Sequence, residues 1–379
     1  VNLIPCLADR LAYHRQHPDV SIDAYARLRA LEVGERVMAG VRIYLDKCFW
    51  IHLRDAALTS PSAASELLIL LREAAASGRL CCPISEATFL ELMKQSDLAT
   101  RHATAALIDE LSHGVSLAPS EQRSATEVAH LLHWGVGDNV QPLEHLVWTK
   151  VAYVLGVQHP VSRALPVTEQ MVLQKAFFDH LWDVPLVELI AHLDTSYAES
   201  RTFAKTAEKL NRLNSEHARG VRSFAQVHRE EINGVLELAV PVGVQVLHEM
   251  ARRAQIAPPP TAVEEEARMI LGLLRGAAQT PLGRQTLRTW CIGAALHAAT
   301  RWNRSQKLVA NELFDFQHAK GALAYCDAFF TDKPMHTLLA QKHHGLLQEY
   351  PCHVASTMSD ALTVARTVLN EDRRAGGQI

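Results

Sequence analysis

The chain has no marked excess of charge of either sign: 38 Lys and Arg stand against 41 Asp and Glu, a formal net charge of −3. Bulk charge therefore signals no nucleic-acid partner, and any basic surface has to be local. No uninterrupted apolar run reaches the ~18 residues of a membrane span, so a protein without a membrane partner is expected. With Asp9 and Arg10 among the opening residues, no secretory signal is expected there. Zinc spacing is missing too: there is no Cys-x-x-Cys and no His-Glu-x-x-His. His130 with His133, and His343 with His344, lack a third donor at ligand spacing. No phosphate-cradling glycine loop follows a strand, and no Gly-x-Ser-x-Gly elbow is present. The seven cysteines are odd in number and lie mostly in apolar runs. They read as reduced core residues of a cytoplasmic protein.

What remains is a globular composition, 379 residues with 48% apolar and 21% charged. That is enough for two or three domains at ~100–200 residues each. Residues 1–40 read as helical, with Ser21 capping a helix that Gly34 stops. A β-like run ends at Asp46, and helix resumes over Cys48–Arg54. Ser60-Pro61 signals the start of a longer helix that Gly78 ends. A short apolar run follows at 80–84, then a helix behind Ser85 and another over about 99–112. Gly114–Pro119 reads as a third strand, with Ser120 starting the next helix. Strand, helix, strand, helix, strand is the pattern of a parallel sheet.

After about residue 135 the periodicity turns helical, with almost no strand signal as far as about 300. Thr168–Asp183 carries apolar residues at helix spacing, and Pro185 should end that helix. A long helix is expected from near Ser196, continuing to about 230 if Gly220 is tolerated. Pro258-Pro259-Pro260 reads as a linker. The β pattern returns at Asp327–Thr331 and Cys352–Ser356. These shifts divide the chain into a helical extension (1–40), the first part of an α/β domain (41–134), a helical insertion (135–300), the second part (301–370) and a flexible tail (371–379).

Four acids sit where such a sheet would gather them. Asp46 ends Val41-Arg-Ile-Tyr-Leu-Asp46, Glu91 lies on the helix after the second strand, Asp315 opens a later helix, and Asp332 ends Asp327-Ala-Phe-Phe-Thr-Asp332. Ligands bind at strand ends in open α/β sheets, and carboxylates that converge repel one another until a hard divalent cation joins them. Each acid has a plainer role as well: Asp46 and Asp315 as helix caps, Glu91 on a solvated face, Asp332 in a turn before Pro334. Glu86 cannot substitute for Glu91, since five residues turn a helix by about 140°. Asp327 lies at the other end of its strand, roughly 16 Å from Asp332, and reads as structural.

In order and context the four acids resemble those of the PIN-domain nucleases. The match runs through Ile43-Tyr-Leu-Asp46, Ser85 with Glu91 six residues on, Asp315, and Phe329-Phe330-Thr331-Asp332. It covers about 41–120 and 300–370, with a far longer gap between Glu91 and Asp315 than in compact members. The resemblance implies a PIN-like three-layer α/β fold with a central parallel sheet, here interrupted by a mostly α-helical insertion. It also implies a metal-dependent endonuclease in which Asp46, Glu91, Asp315 and Asp332 hold Mg²⁺ or Mn²⁺. Thr331 would orient Asp332 or a water. By its own spacing His318, one turn beyond Asp315, could touch a phosphate or steady Asp315, or equally be a satisfied core or cap histidine. RNA is the expected substrate, in a toxin or phage-defence setting and with a regulatory protein partner. A structure-specific DNA nuclease is one alternative; a non-catalytic scaffold for nucleic acid or protein is another. Arg201, Lys205, Lys209, Arg212, Arg219 and Arg222 recur on one side of the expected long helix and could guide a phosphate backbone. Glu208 and Glu216 interrupt them, as on an ordinary solvated face.

Overall fold

The computed structural model describes residues 7–56, 62–193, 200–256, 263–303 and 306–376. The chain is mostly helical, and four of its six described strands pair in parallel. It forms two compact units. One holds Val1–Pro119, Glu144–Tyr197 and Leu369–Ile379; the other holds Ser120–Leu143 and Ala198–Val368. The units cut the chain elsewhere than the change in periodicity does: residues 144–197 belong with the first strands, and 198–300 with the last two. Residues 371–376, set aside as tail, continue the helix Met358–Gly376.

In the first unit α1 (Leu7–Arg15) and α2 (Ile22–Met38) lead into β1 (Val41–Leu45), α3 (Lys47–Ala56), α4 (Ala63–Ala76) and β2 (Leu80–Cys81). Then come α5 (Glu86–Met93), α6 (Leu98–Ser112) and β3 (Val115–Leu117). The chain next leaves the unit through α7 (Ser120–Gly135) and re-enters it with β4 (Trp148–Lys150), α8 (Val167–Trp182) and α9 (Leu186–His192). β1 is buried on both faces apart from Arg42, as a parallel strand should be. It pairs with β2 in the register Val41 to Leu80 and Arg42 to Cys81. β3 meets the segment after β2 through one parallel bridge, Ile84 to Ser116, and pairs antiparallel with β4. Three residues are too few for a periodicity test, so β4 was not expected.

Two expectations about caps are corrected here. Ser21 does cap α2, accepting from the Ala24 N–H at 3.2 Å, but the helix runs through Gly34. A Cβ at Gly34 would lie 2.0 Å from the His145 carbonyl oxygen, so this glycine admits another stretch of backbone and stops nothing. α4 starts behind Ser62, whose hydroxyl accepts from the Ser65 N–H at 3.3 Å; Ser60 and Pro61 lie outside the described residues. Pro185 does separate α8 from α9. The Asp109 carboxylate then caps α9 through the Leu186 and Val187 N–H groups at 2.7 and 2.9 Å.

The second unit contains α7 with α10 (Ser200–His217), α11 (Phe224–Arg253), α12 (Val263–Ala278), α13 (Pro281–Thr286), α14 (Arg288–Trp302) and α15 (Ala310–Tyr325). β5 (Ala328–Phe330), α16 (Lys333–Leu339) and β6 (His353–Ala355) complete what bears on the site. β5 and β6 pair in parallel, Ala328 to His353 through Phe330 to Ala355. The single long helix expected to reach 230 is two. α10 ends at His217, a 3-10 turn covers Ala218–Gly220, and Ser223 caps α11 by accepting from the Gln226 N–H at 3.2 Å. Arg219 and Arg222 therefore do not continue the basic side of α10. The expected start at Ser196 and the proline linker at 258–260 lie outside the described residues. By length and composition alone α11 is long and apolar enough to cross a membrane, and 17% of its most apolar window is buried. Charged and polar residues interrupt that window, which is why no uninterrupted apolar run marks it; in this unit α11 packs on α7, α12 and α14.

One buried carboxylate ties α7 to α14. Glu127 is wholly buried and accepts from the Thr289 N–H at 3.0 and 3.1 Å and from the Tyr325 hydroxyl at 2.6 Å. Thr289 lies in the first turn of α14, where orphan N–H groups favour an anion. Burial nonetheless dominates and pushes the Glu127 carboxyl up to about 7, against the pull of those hydrogen bonds. Between the unfolded value of 4.5 and about 7, the folded state keeps a proton that the unfolded chain has released. This contribution is therefore complete below pH 4.5, falls as pH rises through 7, and is constant above; its size is on the order of 3 kcal/mol. Histidines with lowered values work in the opposite direction, so the comparison with Glu127→Gln isolates the effect. Denaturant unfolding at pH 5 and pH 7.5 should show a smaller loss on raising the pH in the variant than in the parent chain. Equal losses would show that Glu127 is ionised throughout.

Candidate metal centre

The candidate site starts from a strand and a helix locked in register. Along β1, side chains two residues apart share a face, so Tyr44 and the residue after the strand's end, Asp46, point the same way. Along α5, residues three apart share a face, so Ser85, Thr88 and Glu91 form one ridge. The Tyr44 hydroxyl lies 2.6 Å from the Ser85 hydroxyl and 3.0 Å from that of Thr88. All three groups are buried. With that link fixed, the next pair along the same two ridges is Asp46 and Glu91. A ligand oxygen of one lies within 4.8 Å of a ligand oxygen of the other. Ser85, expected to cap α5 with its side chain, makes no such bond because its hydroxyl is engaged by Tyr44.

Both carboxylates are buried, Asp46 at 6% and Glu91 at 8% relative exposure. Isolated charges at such depth are costly, and Lys47 answers part of that cost. Its backbone N–H donates to Asp46 Oδ1, and its Nζ lies 3.8 Å from Glu91 Oε1. The expected position of Asp46 at a strand end holds, since β1 ends at Leu45 and α3 begins at Lys47. Glu91 is not on a solvated face. Two carboxylates at this separation are a fitting oxygen donor set for a hard divalent cation.

The remaining expected residues lie in the second unit. Asp315 does not open its helix. α15 begins five residues earlier, at Ala310, with Glu312 accepting from the Val309 N–H at 2.9 Å. Asp315 is thus in the second turn and half-buried, and His318, one turn on, is fully buried. Thr331 is buried directly after β5, and its N–H donates to the Ala355 carbonyl at 3.0 Å. Asp332 caps α16, accepting from the Met335 N–H at 2.9 Å. Asp327 precedes β5 and Asp332 follows it, so they stand at opposite strand ends as expected.

On α10, Lys205, Lys209 and Arg212 are exposed, as are Glu208 and Glu216. Arg212 lies 3.9 Å from Glu216. The opposite side of α10 packs on α15 and its approach: the rings of Phe203 and Phe314 lie 4.3 Å apart, and the Asn211 amide exchanges hydrogen bonds with the Leu308 backbone at 2.8 and 2.9 Å. Arg201 is in α10, with its side chain outside the described set. Sequence reasoning missed Tyr44 and Lys47. The period of two along β1 would have found the first, and adjacency to Asp46 the second.

No protein-family model, curated protein or solved structure matches this chain.

Tyr44→Phe should leave the Ser85 and Thr88 hydroxyls without their shared partner inside the core. A loss of about 1–3 kcal/mol is expected, read as a lower midpoint in urea unfolding. Unchanged stability would show that this link does not hold α5 against β1.

Proposed function

We propose that this chain is a metal-dependent phosphodiesterase of the PIN-like kind, with RNA as its substrate. The observation that carries the reading is the buried Asp46–Glu91 pair, with oxygens within 4.8 Å of one another. Asp315 and Asp332 complete the proposed acidic set, and His318 is a buried nitrogen donor in the same reading. The PIN-like fold requires β1 and β5 to share one parallel sheet, so that Asp46 and Asp332 follow neighbouring strand ends. A bound Mg²⁺ or Mn²⁺ would supply Lewis-acid polarisation of a phosphoryl oxygen and of the attacking water. The chain's own residues hold the acids: Tyr44 orients α5, Lys47 balances the carboxylates, and Thr331 fixes the chain before Asp332. The exposed cations of α10 offer contacts for a phosphate backbone.

A scaffold reading has one observation in its favour. Asp332 already serves as a helix cap, a role that needs no metal. The two readings part on catalysis. Purified protein should cleave labelled single-stranded RNA or tRNA with Mn²⁺ and not with chelator, and branched DNA should be the poorer substrate. Asp46→Asn and Glu91→Gln should each lower cleavage by at least about a hundredfold, since losing even an outer partner of a metal ligand costs 10–100-fold. Both variants should remain folded, and in metal-free buffer they should be no less stable than the parent because one of two repelling carboxylates is gone. Normal cleavage by folded Asp46→Asn protein, or no Mn²⁺-dependent thermal shift in the parent, would rule the reading out.

A further inference from the structure

We infer that Lys47 has two states at the carboxylate pair: it neutralises Glu91 while no ion is bound, and it turns to the phosphodiester when a divalent cation takes its place. The inference rests on the metal-binding reading above and assigns a further residue to it. Lys47 is the first residue of α3. A cation is disfavoured there, because the helix N-terminus already carries partial positive charge. The first turn of α3 holds no acidic residue to offset it. What lies close instead is the site: the Lys47 N–H bonds the Asp46 carboxylate, and the ammonium stands 3.8 Å from Glu91. One residue thus touches both carboxylates, through its backbone and through its side chain.

The two contacts differ in how firmly they are held. The backbone contact is set by the turn from β1 into α3 and persists. The side-chain contact is not: the lysine side chain is 37% exposed while that of Glu91 is 10% exposed. A lysine ammonium on a flexible four-carbon stem can leave without disturbing the core. A divalent ion between Asp46 and Glu91 would repel it toward solvent. A phosphate entering from that side would meet the displaced ammonium beside the ion, where two positive groups can share the charge of one phosphodiester.

Competition makes the idea testable apart from catalysis. Lys47→Met keeps the stem and removes the charge, while Lys47→Arg keeps the charge. Mn²⁺ binding by isothermal titration should tighten about two- to fivefold in Lys47→Met, the range of a partly exposed ion pair, and stay near the parent value in Lys47→Arg. At saturating Mn²⁺, RNA cleavage should fall about tenfold or more in Lys47→Met and recover in part in Lys47→Arg. Opposite movement of affinity and turnover is the signature, because a merely structural role would lower both. Unchanged or weaker Mn²⁺ binding by Lys47→Met overturns the competition, and tighter binding with full turnover overturns the phosphate contact. No Mn²⁺ binding by the parent protein would instead overturn the metal centre itself.

Discussion

Two carboxylates held close together inside a protein set the terms for everything around them. Asp46 and Glu91 repel, and neither has enough solvent to screen that repulsion. They stay together because the strand and helix that carry them are tied to each other, with Lys47 offsetting part of the repulsion. β1 is buried on both faces apart from Arg42. α5 is anchored to it by the Tyr44 hydroxyl, with Phe89 and Leu92 buried on the ridge next to that of Glu91. A core of this kind transmits strain and does not absorb it. The acidic pair is therefore best read as a feature the local fold sustains at a cost, which distinguishes it from acids that merely happen to lie near each other on a surface.

The same logic separates the acids of this chain by what they do for the backbone. Asp109 and Asp332 each accept from N–H groups at a helix start, the work expected of a capping carboxylate. Glu127 does the same from inside the second unit, where burial keeps its carboxyl near neutrality. Asp46 and Glu91 differ in having each other as neighbours. Capping explains an acid by the donors it meets, whereas a pair of like charges needs a cation, and Lys47 is one that the chain itself provides.

How far the sequence revealed this depended on the range of the interaction. β1 followed by Asp46 was legible because strand pattern and terminal acid are adjacent in the chain. Glu91 was legible from its spacing to Ser85, although Ser85 turned out to serve Tyr44 and not the helix start. Tyr44 itself was not singled out, since nothing local shows where a phenol hydroxyl will find a partner 41 residues on. Gly34 was misread as a stop for the same reason: the backbone it admits, at His145, is far away in the chain. Nothing in the local sequence marks Glu127, because its donors lie 162 and 198 residues later. Asp315 was placed too early because Glu312, not an N-cap side chain, closes the first turn of α15. A parallel sheet was foreseen, but the third expected strand pairs antiparallel with β4; the division of the helical stretch between two units was not foreseen, since helical periodicity says which face is buried and not against what.

In the proposed reading, the second unit constrains where a nucleic acid would run. With a net charge of −3 the chain has no long-range pull on a polyanion, and at physiological salt charges act over only about 8 Å. Attraction must come from cations placed at the point of contact. Lys205, Lys209 and Arg212 meet that need better than the full six expected from sequence, because Arg219 and Arg222 lie beyond the end of α10. Glu208 and Glu216 weaken the stripe, and Arg212 is already partly paired. What strengthens it is bracing: Phe203 and Asn211 fix the other side of α10 to α15 and the residues just before it. In the proposed reading, three cations on a helix braced against the helix of Asp315 and His318 would position a phosphate chain, even where they are too few to attract one from a distance.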